Sequence, residues 1–280
     1  MSEFEGKVAV VTGAGSGIGR ALATELASRG ARLAVSDIDA DGLAQTAAIL
    51  GGAGDDVHQQ VLDVGDREAV ERYAAGVVGH FGVVHQLYNN AGIAHSRTLL
   101  ESDYADYERV LGVNLWGVIH GTKAFVGHLI ASGDGHLVNV SSLNGYLAQE
   151  GMTHYCTSKF AVRGFTESVR AEMLSAGLPV VVSCVHPGGI KTNIATAALQ
   201  RAADLGLPVT AADERRQRIY NERLLRMDPA KAARIIVDGV EAGRPRILVG
   251  KDAKLVDLLV RLAPAQAVRL SVAGTRLLTR

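Results

Sequence analysis

Short runs of β-branched and other apolar residues alternate along the chain with longer stretches in which Ala, Leu and Val recur at three- and four-residue intervals. The first pattern suits a buried strand and the second an amphipathic helix. Lys7–Thr12, Arg32–Ser36, Val57–Leu62, Val83–Tyr88, Gly135–Val140, Val180–Val185 and Arg244–Val249 read as strands. Helical periodicity falls between them: over Ile18–Arg29, closed by Gly30, then over about 40–50, 66–80, 103–131 and 152–176. Repeated βα units predict a parallel sheet with helices on both faces, and right-handed crossovers make it doubly wound. The expected fold class is therefore three-layer α/β. Ligands of such sheets bind outside the carboxyl ends of the strands, so residues that follow a strand are the candidates for chemistry.

Glycine makes up 32 of the 280 residues, above the usual share of roughly 7%. Its placement carries more than its number. The first strand is followed at once by Thr12-Gly13-Ala14-Gly15-Ser16-Gly17-Ile18-Gly19, which then opens a helix. Gly13 permits the turn, while Gly17 and Gly19 let the backbone approach phosphates and the helix approach the sheet. The amides of Ser16, Gly17, Ile18 and Gly19 can hold a pyrophosphate at a helix N-terminus, a Rossmann-type arrangement. Asp37 ends the second strand, 24 residues after Gly13. A carboxylate there accepts both ribose hydroxyls of an adenosine and repels a 2′-phosphate, which predicts NAD over NADP. Neither Ser16 nor Ile38 offers a positive charge, and Arg20 and Arg32 read as surface residues. Asp63-Val64 ends the third strand, where the carboxylate would either meet the adenine amino group or cap the next helix. Asn89-Asn90-Ala91-Gly92 ends the fourth. Its small residues leave room for a flat ligand, and its Asn side chains can tie the strand end to its neighbours.

Tyr155 and Lys159 stand four residues apart, on one face of a predicted helix. A phenol with a free pKa near 10 is a weak base at neutral pH, but a nearby ammonium favours phenolate. Tyr155 could then exchange a proton with a substrate oxygen. Together, Thr12–Gly19, Asn89–Gly92, Asn114, Ser142, Tyr155-x-x-x-Lys159 and Pro187-Gly188 resemble the classical short-chain dehydrogenase/reductase family over roughly residues 6–250. The resemblance implies an NAD(P)-dependent oxidoreductase that passes hydride between a secondary alcohol or ketone and the nicotinamide. It implies that Ser142 orients the substrate oxygen, that Lys159 also holds the nicotinamide ribose, and that Asn114 holds a water in a proton relay. It places Asn90, Ala91, Gly92, Pro187, Gly188, Ile190 and Thr192 around the cofactor, Thr192 on the carboxamide. It also implies a homo-oligomer, a tetramer or dimer, with the 152–176 helix as a candidate interface.

Charge and composition narrow the alternatives. Lys and Arg number 29, as do Asp and Glu, and the pI near 7.1 offers no general nucleic-acid footprint. No apolar run reaches membrane-spanning length, and the first residues lack a signal-peptide pattern. Two cysteines without CxxC spacing suit a reducing, cytoplasmic location. The nine histidines show no metal-ligand spacing, and Ser142 sits in no GxSxG elbow. A non-catalytic NAD-binding sensor or scaffold is the alternative, but it has no need of Asn114, Ser142, Tyr155 and Lys159 together.

One catalytic domain over 1–250 is expected, with a substrate lid at about 188–227 made of an apolar part, Ile194–Leu207, and a charged part, Glu214–Arg226. Leu143, Tyr146, Leu147, His95 and Met152 are the expected pocket neighbours, and they suit an apolar alcohol or ketone: aliphatic, 3-oxoacyl or steroid-like. Residues 251–280 form a basic amphipathic extension, with six Lys and Arg against two Asp. Its leucines at helical spacing would pack on the subunit or a neighbour, the preferred reading of an apolar stripe, or lie on a membrane surface.

Overall fold

The computed structural model describes residues 3–52, 54–192, 218 and 225–279. The expected lid segments, Ile194–Leu207 and most of Glu214–Arg226, lie outside the described residues. Seven described strands form one parallel sheet: β1 Val8–Thr12, β2 Arg32–Asp37, β3 Val57–Val61, β4 Gln86–Asn89, β5 Gly135–Val140, β6 Val180–Pro187 and β7 Arg246–Val249. Their spatial order is β3-β2-β1-β4-β5-β6-β7. The winding direction reverses between β1 and β4, which opens a crevice beyond their carboxyl ends.

The strands are buried on both sides because their residues alternate between two cores. Val8 and Val10 of β1 join one apolar cluster, while Ala9 and Val11 join the other. Helices α1 (Gly17–Ser28) and α2 (Ala40–Ile49) cover the face of the second cluster, together with α7 (Pro229–Glu241). The opposite face is covered by α3 (Arg67–Phe81), α5 (Gly117–Ala131) and α6 (Thr153–Ser175). This three-layer, doubly wound architecture matches the expectation. Local chemistry sets the helix starts. The side chains of Asp39, Asp66, Asp103 and Asp228 each accept a backbone N–H from the first turn of α2, α3, α4 (Tyr104–Leu111) and α7.

The long 103–131 helical stretch proves to be composite. Gly112–Trp116 forms a π-helical turn between α4 and α5. Such a one-residue insertion shifts the register of everything before it, and Asn114 sits inside it. Beyond β7, α8 (Lys251–Leu262) packs beside that strand, and α9 (Pro264–Thr279) follows.

Candidate active site

The glycine turn after β1 folds as its sequence requires. Gly13 adopts φ 67°, in the left-handed region that favours glycine. A Cβ there would stand 2.7 Å from Ala91 Cα, and one on Gly19 would collide with the Gly13 carbonyl oxygen. Helix α1 therefore starts closer to the turn than any side chain allows. The N-cap, Ser16, has no side-chain bond to the helix.

The turn is tied down on both sides. Thr12 Oγ1 accepts the Asn90 and Ala91 amides, both at 3.1 Å, and Asn90 Nδ2 donates to Thr12 O (3.0 Å) and Gly13 O (3.2 Å). Asn90 thus contributes to the cavity as a staple between β1 and β4. Asn89 plays the equivalent part deeper in the sheet, donating to Asn139 Oδ1 at 2.9 Å. On the other side, Gly15 N donates to Asp37 Oδ2 (2.7 Å), and Asp39 N donates to Asp37 Oδ1 (3.0 Å). These bonds aim the carboxylate at the end of β2 and leave further lone pairs for hydroxyl donors.

Arg20, expected at the surface, instead holds the turn against α2. Its guanidinium donates to Thr46 Oγ1 (2.9 Å), Gly42 O, Gln45 Oε1 and Gly15 O. Asp63 does not cap α3, since Asp66 fills that position; Asp63 Oδ1 accepts Gly65 N at 2.8 Å.

A cavity of about 520 Å³ runs along the carboxyl ends of the strands. Gly13, Ser16, Gly17, Ile18, Gly19, Asp37, Asp63, Val64, Asn90, Ala91 and Gly92 line it, as do Ser142, Tyr155, Lys159, Pro187, Gly188, Ile190 and Thr192. Of the residues expected to act on the substrate oxygen or hold the cofactor, Asn114 alone is not on the cavity wall. Asn114 is fully buried one layer behind, where Oδ1 accepts Ile93 N (2.8 Å) and Nδ2 donates to Ile93 O (2.9 Å) and Ser158 Oγ (3.0 Å). Its side chain fixes the strand of chain that carries Ile93 past the cavity. Ser158 in turn donates to Tyr155 O at 2.7 Å, which joins that chain to α6.

Lys159 is 4% exposed, and its Nζ donates to Val140 O at 3.0 Å. Burial lowers its pKa from 10.5 to about 8, which leaves it mostly cationic at neutral pH. Nζ lies 5.7 Å from the centroid of the Tyr155 ring. Ser142, at the end of β5, is held by two neighbours. Its Oγ accepts Asn144 N (3.1 Å), and its carbonyl is 3.0 Å from His186 Nδ1. Residue by residue, the site offers a hydroxyl, a phenol and a buried ammonium at one end and a carboxylate at the other.

Of the five expected pocket neighbours, only Leu143 lines the cavity. Tyr146 stacks on His186 with ring centroids 4.2 Å apart. His95 is buried with its Nε2 2.9 Å from Asp106 Oδ1, and its ring lies 4.9 Å from that of His154. His154, in the first turn of α6, is fully buried; its Nδ1 accepts Tyr155 N (3.0 Å) and its ring lies against those of His95 and Tyr107. The sequence reading missed Arg109, which reaches the cavity wall while donating to Asp106 Oδ1 at 2.6 Å. Arg109 lies one helical turn before Val113, another wall residue, and that spacing was the available signal.

Comparison with known proteins agrees with this geometry. A protein of Mycobacterium tuberculosis with the provisional name oxidoreductase SadH is 52% identical over 278 residues, covering 98% of this chain and 97% of that one. The C alpha-dehydrogenase of Sphingobium sp. SYK-6 is 36% identical over 244 residues, covering 86% and 79%. The crystal structure of a short-chain dehydrogenase/reductase from Burkholderia phymatum in complex with NAD superposes with a TM-score of 0.85, at 34% identity and 95% coverage of both chains. The family model for short chain dehydrogenases matches residues 7–203. With the glycine turn, the strand-end residues and the Ser142–Tyr155–Lys159 group gathered on one cavity, this chain belongs to the short-chain dehydrogenase family of oxidoreductases.

Proposed function

We propose that the chain interconverts a secondary alcohol and a ketone with NAD as its redox partner. The observation that carries this reading is the convergence of Ser142, Tyr155 and Lys159 at one end of a cavity whose other end holds the Asp37 carboxylate. Bound there, NAD would supply the hydride chemistry. The protein supplies position and the proton. Ser142 Oγ holds the substrate oxygen. Tyr155 takes the hydroxyl proton during oxidation or gives one during reduction, and the Lys159 charge beneath the ring favours the phenolate. The Gly13–Gly19 turn seats the pyrophosphate on the α1 amides. Asp37 accepts the adenosine ribose hydroxyls and repels a 2′-phosphate. Arg20, the nearest cation to that turn, has its guanidinium bonded to four acceptors and is not available to offset the repulsion. NAD in the Burkholderia relative supports the same choice.

Ile93, Ala94, Val113, Leu143 and Ile190 give the cavity apolar wall, which suits an aliphatic, 3-oxoacyl or steroid-like substrate. Trp116 and Phe160, 54% and 42% exposed near the π-turn and on α6, support a homo-oligomer built on that side. Cys156 and Cys184, both free and buried, accord with a reducing cytoplasm. NADH and NADPH absorbance, followed with secondary alcohols and ketones of graded chain length, tests the reading. Turnover with NAD in preference to NADP is expected. Preference for NADP would overturn the Asp37 reasoning, and tight NADH binding without turnover of any substrate would favour the sensor.

A further inference from the structure

Among the described residues, the C-terminal helices leave several large apolar side chains exposed. On α8, Ala253 and Asp257 face the body of the protein, and Asp257 pairs with Arg246 of β7 (3.5 Å) and with Arg261 (3.0 Å). Leu255, Leu258 and Leu262 fall within about 60° of arc on the opposite side, at 3.6 residues per turn. They are 67%, 53% and 76% exposed. Past Pro264, α9 buries Ala267 but leaves Val268 and Leu270 exposed. This reverses the usual amphipathic arrangement, in which leucines meet protein and the polar face meets water.

The charges sort in the same way. Both acids of the tail are tied to the body. Asp257 is paired as above, and Asp252 Oδ2 accepts Gly189 N at 2.6 Å. What remains beside the leucines is cationic and exposed. Lys251 extends the leucine stripe one turn back and Lys254 edges it, with Arg261, shared with Asp257, on the same edge; Arg269 follows on α9. A two-fold pairing of this surface with a second copy brings like charges together. An apolar stripe edged by Lys and Arg is complementary instead to anionic headgroups over acyl chains. Among the described residues no helix is long and apolar enough to cross a membrane, so the contact lies in the plane of the surface.

We propose that the leucine face of α8 docks this protein peripherally on an anionic lipid bilayer. The same helix that carries the leucines is bonded through Asp252 to Gly189, the neighbour of Gly188 on the cavity wall. If the substrate is apolar, as proposed above, docking brings the cavity to the phase in which such substrates dissolve; the docking itself does not depend on that reading.

Sedimentation of the full chain with vesicles of phosphatidylcholine, with and without phosphatidylglycerol, tests the proposal. Binding to the anionic vesicles is expected, much weaker binding to the neutral ones, and release at about 0.5 M salt, where screening is short-ranged. The triple variant Leu255→Glu, Leu258→Glu, Leu262→Glu should lose at least about tenfold in vesicle affinity with unchanged thermal melting and NADH binding. A second variant, Lys251→Glu, Lys254→Glu, should lose the preference for anionic vesicles. Wild type that ignores anionic vesicles overturns the proposal, as do leucine variants that bind them equally well. So does a leucine variant that only shifts the oligomeric state in analytical ultracentrifugation, which would make the face a contact between copies. Turnover of a water-soluble alcohol without vesicles reads the catalytic proposal separately.

Discussion

Lys159 is held charged where burial disfavours charge, and replacing it with Met should expose the energetic consequence. Its Nζ has Val140 O at 3.0 Å, and the side chain is 4% exposed. At about 1.4 kcal/mol for each tenfold change in proton affinity, the fall from 10.5 to about 8 destabilises the folded state by about 3 kcal/mol at neutral pH. Met is similar in length and carries no charge. It forfeits the bond to Val140 O, worth about 1 kcal/mol. Lys159→Met should therefore be more stable than wild type by about 2 kcal/mol at pH 7, while losing nearly all turnover. The sign follows from linkage. Below about pH 8 both the folded and unfolded wild type hold the proton, so the penalty is fully present. Between about 8 and 10.5 the unfolded chain binds more protons than the folded one, so wild-type stability rises with pH. Above 10.5 the penalty is gone and the variant should be the less stable by about 1 kcal/mol. Urea unfolding of both proteins at pH 7, 9 and 11 reads the difference directly. A variant less stable at pH 7, or a difference that does not change with pH, refutes the reasoning.

Asp37→Ala should raise KM for NAD about tenfold or more, since the hydrogen bonds of a charged group are worth about 1.5–3 kcal/mol, and should narrow the gap to NADP; an unchanged ratio of kcat/KM values would refute it. Gly19→Ala forces a Cβ onto the Gly13 carbonyl oxygen and should abolish NADH binding measured by fluorescence; affinity within twofold of wild type would contradict the turn geometry. His136, His154 and His186 are pushed by burial from 6.5 down to about 4. Between those limits the unfolded chain takes up protons that the folded chain refuses, so stability falls as pH drops from 6.5 towards 4, by up to about 3 kcal/mol per histidine. Equal urea midpoints at pH 7 and pH 5 would count against this.

The sheet was legible because buried parallel strands are nearly continuous apolar runs, as in Val8–Thr12 and Val180–Val185. Boundaries slipped where pairing rather than composition sets them. β4 begins at Gln86, not Val83, because its pairing with β1 starts at Ala9 and Gln86. The cavity wall was legible because short polar and glycine-rich segments at strand ends have few other uses. The π-turn at Asn114 was not, since backbone bonding rather than residue type defines it, and the long 103–131 stretch reads as helical on both sides of the phase shift. Helix α7 was missed although Asp228-Pro229 is a cap followed by Pro at the first helical position. Arg20 could not be placed because its acceptors lie up to 26 residues away, on another helix. Periodicity also found the leucine stripe of α8, but it cannot say which side of a helix faces the protein. Asp257, paired with Arg246 from β7, decides that.

The central claim is that Tyr155 exchanges the proton while the rest of the site binds and orients. Tyr155→Phe removes one oxygen and leaves the ring over Lys159. Turnover of a secondary alcohol should fall at least about a hundredfold, with the NADH dissociation constant from fluorescence titration unchanged within about twofold. Activity above about a tenth of wild type, with binding intact, would contradict the assignment.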